Sequence, residues 1–242
     1  MTKIGNISWL IACALLAGLL GNSGPALALS VLHSFAGGAS DGSVPRASLI
    51  TDGSGNLYGT TETGGSTGLG TVYKVKTDGT GFQLLHSFTG GPNDGRRPLA
   101  SLIADGSGFL YGTTDLGGPS DLGTVYKVKT DGTGFQLLHS FAGGLNDGSR
   151  PQASLITDGS GNLYGTTVGG GWPAFGHGTI FTIKTDATGF EVLHSFSGYP
   201  DDGSQPLASL TLDGSGNLYG TTSGPPWFDY WFGTVFSLKT DG

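Results

Sequence analysis

Six residues, Asn56-Leu57-Tyr58-Gly59-Thr60-Thr61, return three times along the chain, beginning again at Phe109, Asn162 and Asn217. The tyrosines of these blocks, Tyr58, Tyr111, Tyr164 and Tyr219, lie 53, 53 and 55 residues apart. A period of about fifty residues marks propellers and arrays, whose units bury their apolar faces against one another rather than alone. Any fold for this chain must therefore be one unit, written four times.

Within a unit the pattern is of strands and turns. Leu-Ser-Val-Leu-His-Ser-Phe at 29–35 is a short apolar run, and equivalents follow at Phe82 to Phe88, Phe135 to Phe141 and Phe190 to Phe196. Each leads into an Asp-Gly step, Asp41-Gly42, Asp94-Gly95, Asp147-Gly148 and Asp202-Gly203, closed by Pro45, Pro98, Pro151 and Pro206. Those are turn signals, with proline placed at the start of a strand. Ala47-Ser48-Leu49-Ile50 and its copies at Ala100, Ala153 and Ala208 then predict a first strand. Asp52-Gly53-Ser54-Gly55 turns the chain into the Leu-Tyr-Gly-Thr-Thr strand, as in a hairpin. Gly70-Thr71-Val72-Tyr73-Lys74-Val75-Lys76, repeated from Gly123, Gly178 and Gly233, has the β-branched alternation of a third strand. Glycine fills 47 of the 242 positions and only 12% of residues are charged, which suits tight turns and not long amphipathic helices.

These patterns predict an all-β protein, a β-propeller of four four-stranded blades at about 47–88, 100–141, 153–196 and 208–239. The last unit lacks a fourth strand while residues 29–35 are a spare one. Pairing 29–35 beside 233–239 would close the ring and remove both free edges. A segment of a longer array and a linear β-solenoid are the competing architectures.

The Leu-Tyr-Gly-Thr-Thr, Gly-Thr-Val-Tyr (or Phe) and Leu-His-Ser-Phe blocks resemble the bacterial tandem repeat called GloVer, or Gloeo-Verruco, over about residues 31–242. The blades are also similar to those of NHL-repeat propellers. The resemblance implies a secreted or surface protein, often held by a C-terminal anchor, from a family with no established biochemical activity. No anchor segment is recognised at Lys239-Thr240-Asp241-Gly242, so the resemblance supports export more than surface attachment.

The first 28 residues read as a signal peptide. Lys3 gives a positive start, Ile4 to Leu20 is almost wholly apolar or small, and Ala26-Leu27-Ala28 has the small-x-small form cleaved by signal peptidase. Leu10-Ile11-Ala12-Cys13 resembles a lipoprotein processing box, but the apolar run continues past it and an ordinary secretory signal is the simpler reading. Cleavage after Ala28 leaves residues 29–242 as the propeller domain, with no cysteine, no membrane span and a destination outside the cell. It would carry ten Lys and Arg against eighteen Asp and Glu, a net charge of −8 that disfavours nucleic acid as a partner.

Features shared by all four units explain a scaffold, and a single site should lie where the units differ. The histidines His33, His86, His139 and His194 recur with the blades and alternate with phenylalanine, which predicts packing between blades and no metal ring. The Asp-Gly aspartates, and Asp52, Asp105, Asp158 and Asp213 in the hairpins, predict turn chemistry. No nucleophile elbow, zinc motif or phosphate loop occurs, the only glutamates are Glu62 and Glu191, and neither catalytic residues nor a cofactor are expected. The units differ most in the loop between second and third strands. It is small in units one and two, but Gly171-Trp172-Pro173-Ala174-Phe175-Gly176-His177 in unit three and Pro225-Pro226-Trp227-Phe228-Asp229-Tyr230-Trp231-Phe232 in unit four. Flat aromatics on Gly-Pro loops can stack on sugar rings or anchor a peptide. Trp172, Phe175, Trp227, Tyr230 and Trp231 are thus the candidate ligand-binding residues, with Asp229 or His177 adding polar orientation, for an extracellular glycan or protein. A hydrolase or lyase of an extracellular polymer, using aspartates beside these aromatics, and a purely structural surface module are the alternatives.

Overall fold

The computed structural model describes residues 29–171, 176–198, 202–224 and 232–240, and these contain strands and turns but no helix. Two compact units divide the chain: Met1–Ser30, of which only residues 29 and 30 are described and form no strand, and Val31–Gly242, the repeat array.

Each repeat is an antiparallel sheet of consecutive strands. In the first, Ile50–Thr51, Asn56–Thr61, Thr71–Lys76 and Gln83–Ser87 pair in that order. The second runs Ile103–Ala104, Phe109–Thr114, Thr124–Lys129 and Gln136–Ser140. The third runs Ile156–Thr157, Asn162–Thr167, Thr179–Lys184 and Glu191–Ser195. The fourth has three described strands, Thr211–Leu212, Asn217–Thr222 and Thr234–Lys239. The expected pairing of 29–35 with 233–239 is not formed: residues 29–35 lie in no strand, and among the described residues Thr234–Lys239 pairs only with Asn217–Thr222.

The recurring motif is the joint between repeats. Tyr58 is buried, and its hydroxyl donates to Asp52 (3.1 Å). Thr60 donates across to the Ala100 carbonyl of the next repeat (3.1 Å), as Thr113 does to Ala153 (3.3 Å) and Thr166 to Pro206 (3.2 Å). The second threonine of each pair meets the first threonine of the neighbouring strand, Thr61 with Thr71 and Thr114 with Thr124, both at 2.7 Å. Glycine between tyrosine and threonine is required by a close approach: a Cβ on Gly112 would lie 2.5 Å from the Tyr126 hydroxyl and 3.0 Å from Leu102.

Three apolar clusters follow, one per junction. Tyr58, Val72 and Phe88 of repeat one pack with Leu102 and Tyr126 of repeat two, and the pattern recurs between two and three and between three and four. Both ends of the array lack such cover. Leu49 is 46% exposed where its equivalents Leu102 and Leu155 are 1%, and at the other end Val235 is 84% exposed where Val72 is fully buried.

Candidate functional site

The short connections set one face of the array. Gly42–Ser43 pairs with Thr63–Gly64, Gly95–Arg96 with Leu116–Gly117, and Gly148–Ser149 with Gly169–Gly170. Each ribbon ties the loop entering a repeat to the loop between its second and third strands, so both emerge together. The ribbons carry no strand signal in the sequence.

Most described aspartates are committed to turns. Asp94 accepts from His86 Nε2 (3.1 Å), the Thr89 N–H (2.9 Å) and the Gly95 N–H (2.7 Å), and Asp41, Asp147 and Asp202 make similar sets. Burial alone would raise the Asp94 carboxyl, but hydrogen bonds and charge from His86, together with Thr89, hold it below the ordinary value. Three of these four histidines also reach forward. His86 stacks on Phe135 of the following repeat at 3.6 Å, His33 on Phe82 at 3.7 Å and His139 on Phe190 at 3.6 Å. The histidines therefore serve separate junctions, and no group of ligating side chains among the described residues could hold a metal ion.

In the hairpins, the Asn56 side chain, then the Ser54 and Asn56 N–H groups and the Tyr58 hydroxyl, lower Asp52 from 3.8 to about 2, despite an opposing contribution from desolvation. Asp213 is lowered to about 2 in the same way, chiefly by Asn217. Tyr58 is pushed up to about 12, first by burial and then by Asp52. These carboxyls bind protons more weakly folded than unfolded, so their stabilisation is complete above 3.8 and lost as the pH falls toward about 2. Thermal melts followed by circular dichroism should show the midpoint dropping across that interval. Asp52→Asn/Asp213→Asn should flatten the drop, and an unchanged slope would refute the assignment.

One polar cluster breaks the repeat symmetry. The residue after the threonine pair is Glu62, Asp115, Val168 and Ser223 in successive repeats, and the residue before the proline is Val44, Arg97, Arg150 and Gln205. Arg97 donates through Nη2 to Glu62 Oε1 (2.9 Å) and places Nη1 3.6 Å from Asp115 Oδ2. Arg150 Nε (3.2 Å) and Gln152 Nε2 (2.9 Å) both donate to Asp115 Oδ1, while Arg46 pairs with Glu62. Asp115 is fully buried, and the arginines over it are partly exposed. The ladder is aimed by an unusual backbone: Arg97 and Arg150 are left-handed at φ 58°, a conformation that costs a non-glycine residue about 1–3 kcal/mol. It is held because the Arg97 N–H donates to the Leu69 carbonyl (2.9 Å) and the Arg97 carbonyl accepts from Asp115 N–H (3.0 Å).

Sequence reasoning passed over these arginines. The available signal was the pairing of arginine before proline with an acid after Thr-Thr, present at 97 and 115 and lost by repeat four. The sequence-derived candidates Trp172, Phe175, Trp227, Tyr230 and Trp231, and Asp229, lie outside the described residues. Their attachment points do not: Gly171 and Gly176 flank the first loop, and Gly224 and Phe232 the second. His177 is half-buried, its carbonyl accepts from Gln205 N–H (2.7 Å) and its ring lies against Gly198.

Repeated antiparallel sheets joined through their faces define a propeller-like repeat protein. A family model described as the Gloeobacter/Verrucomicrobia repeat matches residues 22–236, and the chain belongs to that family. A putative TolB from Agrobacterium tumefaciens shares the fold at a TM-score of 0.50 and 12% identity, over 80% of this chain and 60% of that one. A nidogen/laminin complex gives 0.46 and 20% identity over 74% and 57%, and a puromycin-hydrolysing peptidase from Mycobacterium tuberculosis gives 0.47 and 18% over 83% and 28%. The chain spans less than two-thirds of the length of each of these structures. No curated protein matches the sequence.

Proposed function

We propose that this protein is an exported, non-catalytic binding module that takes an extracellular glycan or protein on the face where the second-to-third-strand loops emerge. The observation that carries the reading is that the repeats depart from one another here: an arginine–carboxylate ladder over repeats one to three gives way to neutral residues at the equivalent positions, and the loop sequences of repeats three and four turn aromatic. Tryptophan and tyrosine would stack on a sugar or anchor a peptide, and the partly exposed guanidiniums would donate to its hydroxyls or carboxylates. Export rests on the charged start, the apolar run and Ala26-Leu27-Ala28. No described helix is long and apolar enough to cross a membrane.

Binding is favoured over hydrolysis of a polymer because the carboxylates described on this face are occupied. The Asp-Gly aspartates cap turns, and Glu62 and Asp115 are clamped by arginines. A glycan-array screen of residues 29–242 beside Trp227→Ala/Trp231→Ala and Arg46→Gln tests the reading, with circular dichroism confirming that each variant folds. Binding lost in the tryptophan variant and weakened in Arg46→Gln is expected. Equal binding by all three would refute this face as the site.

A further inference from the structure

In the fourth sheet, no described strand pairs with the outer edge of Thr234–Lys239. Beside Thr234–Lys239 runs a cavity of about 430 Å³, lined by Ile180, His194, Phe196, Asp202, Val235 and Phe236. In the earlier repeats the fourth strand fills this place, with Thr71 opposite Ser87 and Val72 opposite His86. Here the third strand offers its backbone edge, and Tyr219, buried in the other repeats, is 41% exposed.

The matching strand sits at the opposite end of the array. Residues 31–35 already make the forward contacts of a fourth strand: His33 stacks on Phe82, Phe35 meets Tyr73 edge-on at 5.0 Å, and a Cβ on Gly79 would lie 3.1 Å from the Leu32 carbonyl. The strand at 83–87 makes the same approach to the second repeat, where a Cβ on Gly132 would lie 3.1 Å from the Leu85 carbonyl. No described strand pairs with residues 31–35 on their outer side, and Val31 and Leu49 are exposed there.

We propose that the chain associates end to end with a second copy of itself, residues 31–35 of one copy adding as the fourth strand to Thr234–Lys239 of the other. Every contact needed is one that the chain makes three times internally, so the two ends are complementary by construction. The three internal junctions share the same threonine bond, the first two also share the histidine stack, and both end faces are open among the described residues. A second copy covers them without bending any junction. Such a contact is heterologous, and it propagates until the rotation closes a ring. By the repeat register Ser34 would face Thr234 and His33 would face Val235.

The test mixes two single variants in a Cys13→Ser background, Ser34→Cys and Thr234→Cys, under mild oxidation. A disulfide-linked pair that forms on mixing and increases with concentration is expected. The doubly substituted chain closing on itself at all concentrations, with no linked pair on mixing, would overturn the proposal in favour of a ring within one chain. Absence of any cross-link would also overturn it. Sedimentation of the otherwise unaltered Cys13→Ser chain guards against a folding defect: its mass should rise with concentration through successive multiples of the monomer, and Val235→Lys should hold it monomeric. A monomer at every concentration would overturn the proposal by itself.

Discussion

Phe141→Ala is expected to destabilise the protein by about 3–5 kcal/mol, a large share of the ~5–15 kcal/mol that holds a typical domain folded. Phe141 is 1% exposed and meets Phe181 edge-on at 5.3 Å and His139 at 4.8 Å, so truncation opens a cavity at the junction of repeats two and three. Phe35 holds the same position at the open end and is only half-buried, with Tyr73 and Phe82 on its forward side. Phe35→Ala should therefore cost roughly half as much or less. Urea unfolding of both variants decides the matter. Equal losses would mean that the two junction faces are equally covered.

Arg97→Ala/Arg150→Ala should cost a further ~3–5 kcal/mol on the same scale, because it strands a fully buried carboxylate with Gln152 as its remaining donor. Arg46→Ala, which removes a mostly exposed arm of the ladder, should cost about 0–1 kcal/mol. Adding Asp115→Leu to the double variant should recover most of the loss, since a buried charge without partners costs more than an apolar group of similar shape. Thermal denaturation of the four proteins reads this directly. Failure of Asp115→Leu to rescue would place the damage in the backbone at 97 and 150.

The strand blocks were legible because each carries its own chemistry. The third strand, predicted to start at Gly70, starts at Thr71, and the fourth, predicted over 82–88, spans Gln83–Ser87. The first strand was predicted from Ala47 to Ile50 yet begins only at Ile50. Its backbone is taken by neighbouring repeats: in the second copy the Ala100 carbonyl accepts from Thr60, and the Ser101 N–H donates to the Ser154 hydroxyl. A pattern of apolar residues cannot show that side chains from 40 and 53 residues away have replaced a ladder. The ribbons were unread because Gly42–Ser43 and Gly95–Arg96 have little strand propensity. Ring closure was read from strand counting, whereas curvature belongs to the junction packing, which no single repeat encodes. The turn role of the aspartates was legible because Asp-Gly has a local mechanism. The arginine ladder was not, since it joins residues 35 positions apart whose meaning lies in their pairing.

The hydrogen bonds that join one repeat to the next span similar stretches of chain, 35 residues from Glu62 to Arg97 and 58 from Lys127 to Thr185. Each junction thus asks the growing polypeptide for a loop of the same moderate length, and for nothing from the far end of the sequence. A nascent chain could complete one junction as soon as the following repeat is made, so assembly would proceed in step with synthesis, and a stalled ribosome would carry finished repeats rather than a collapsed globule.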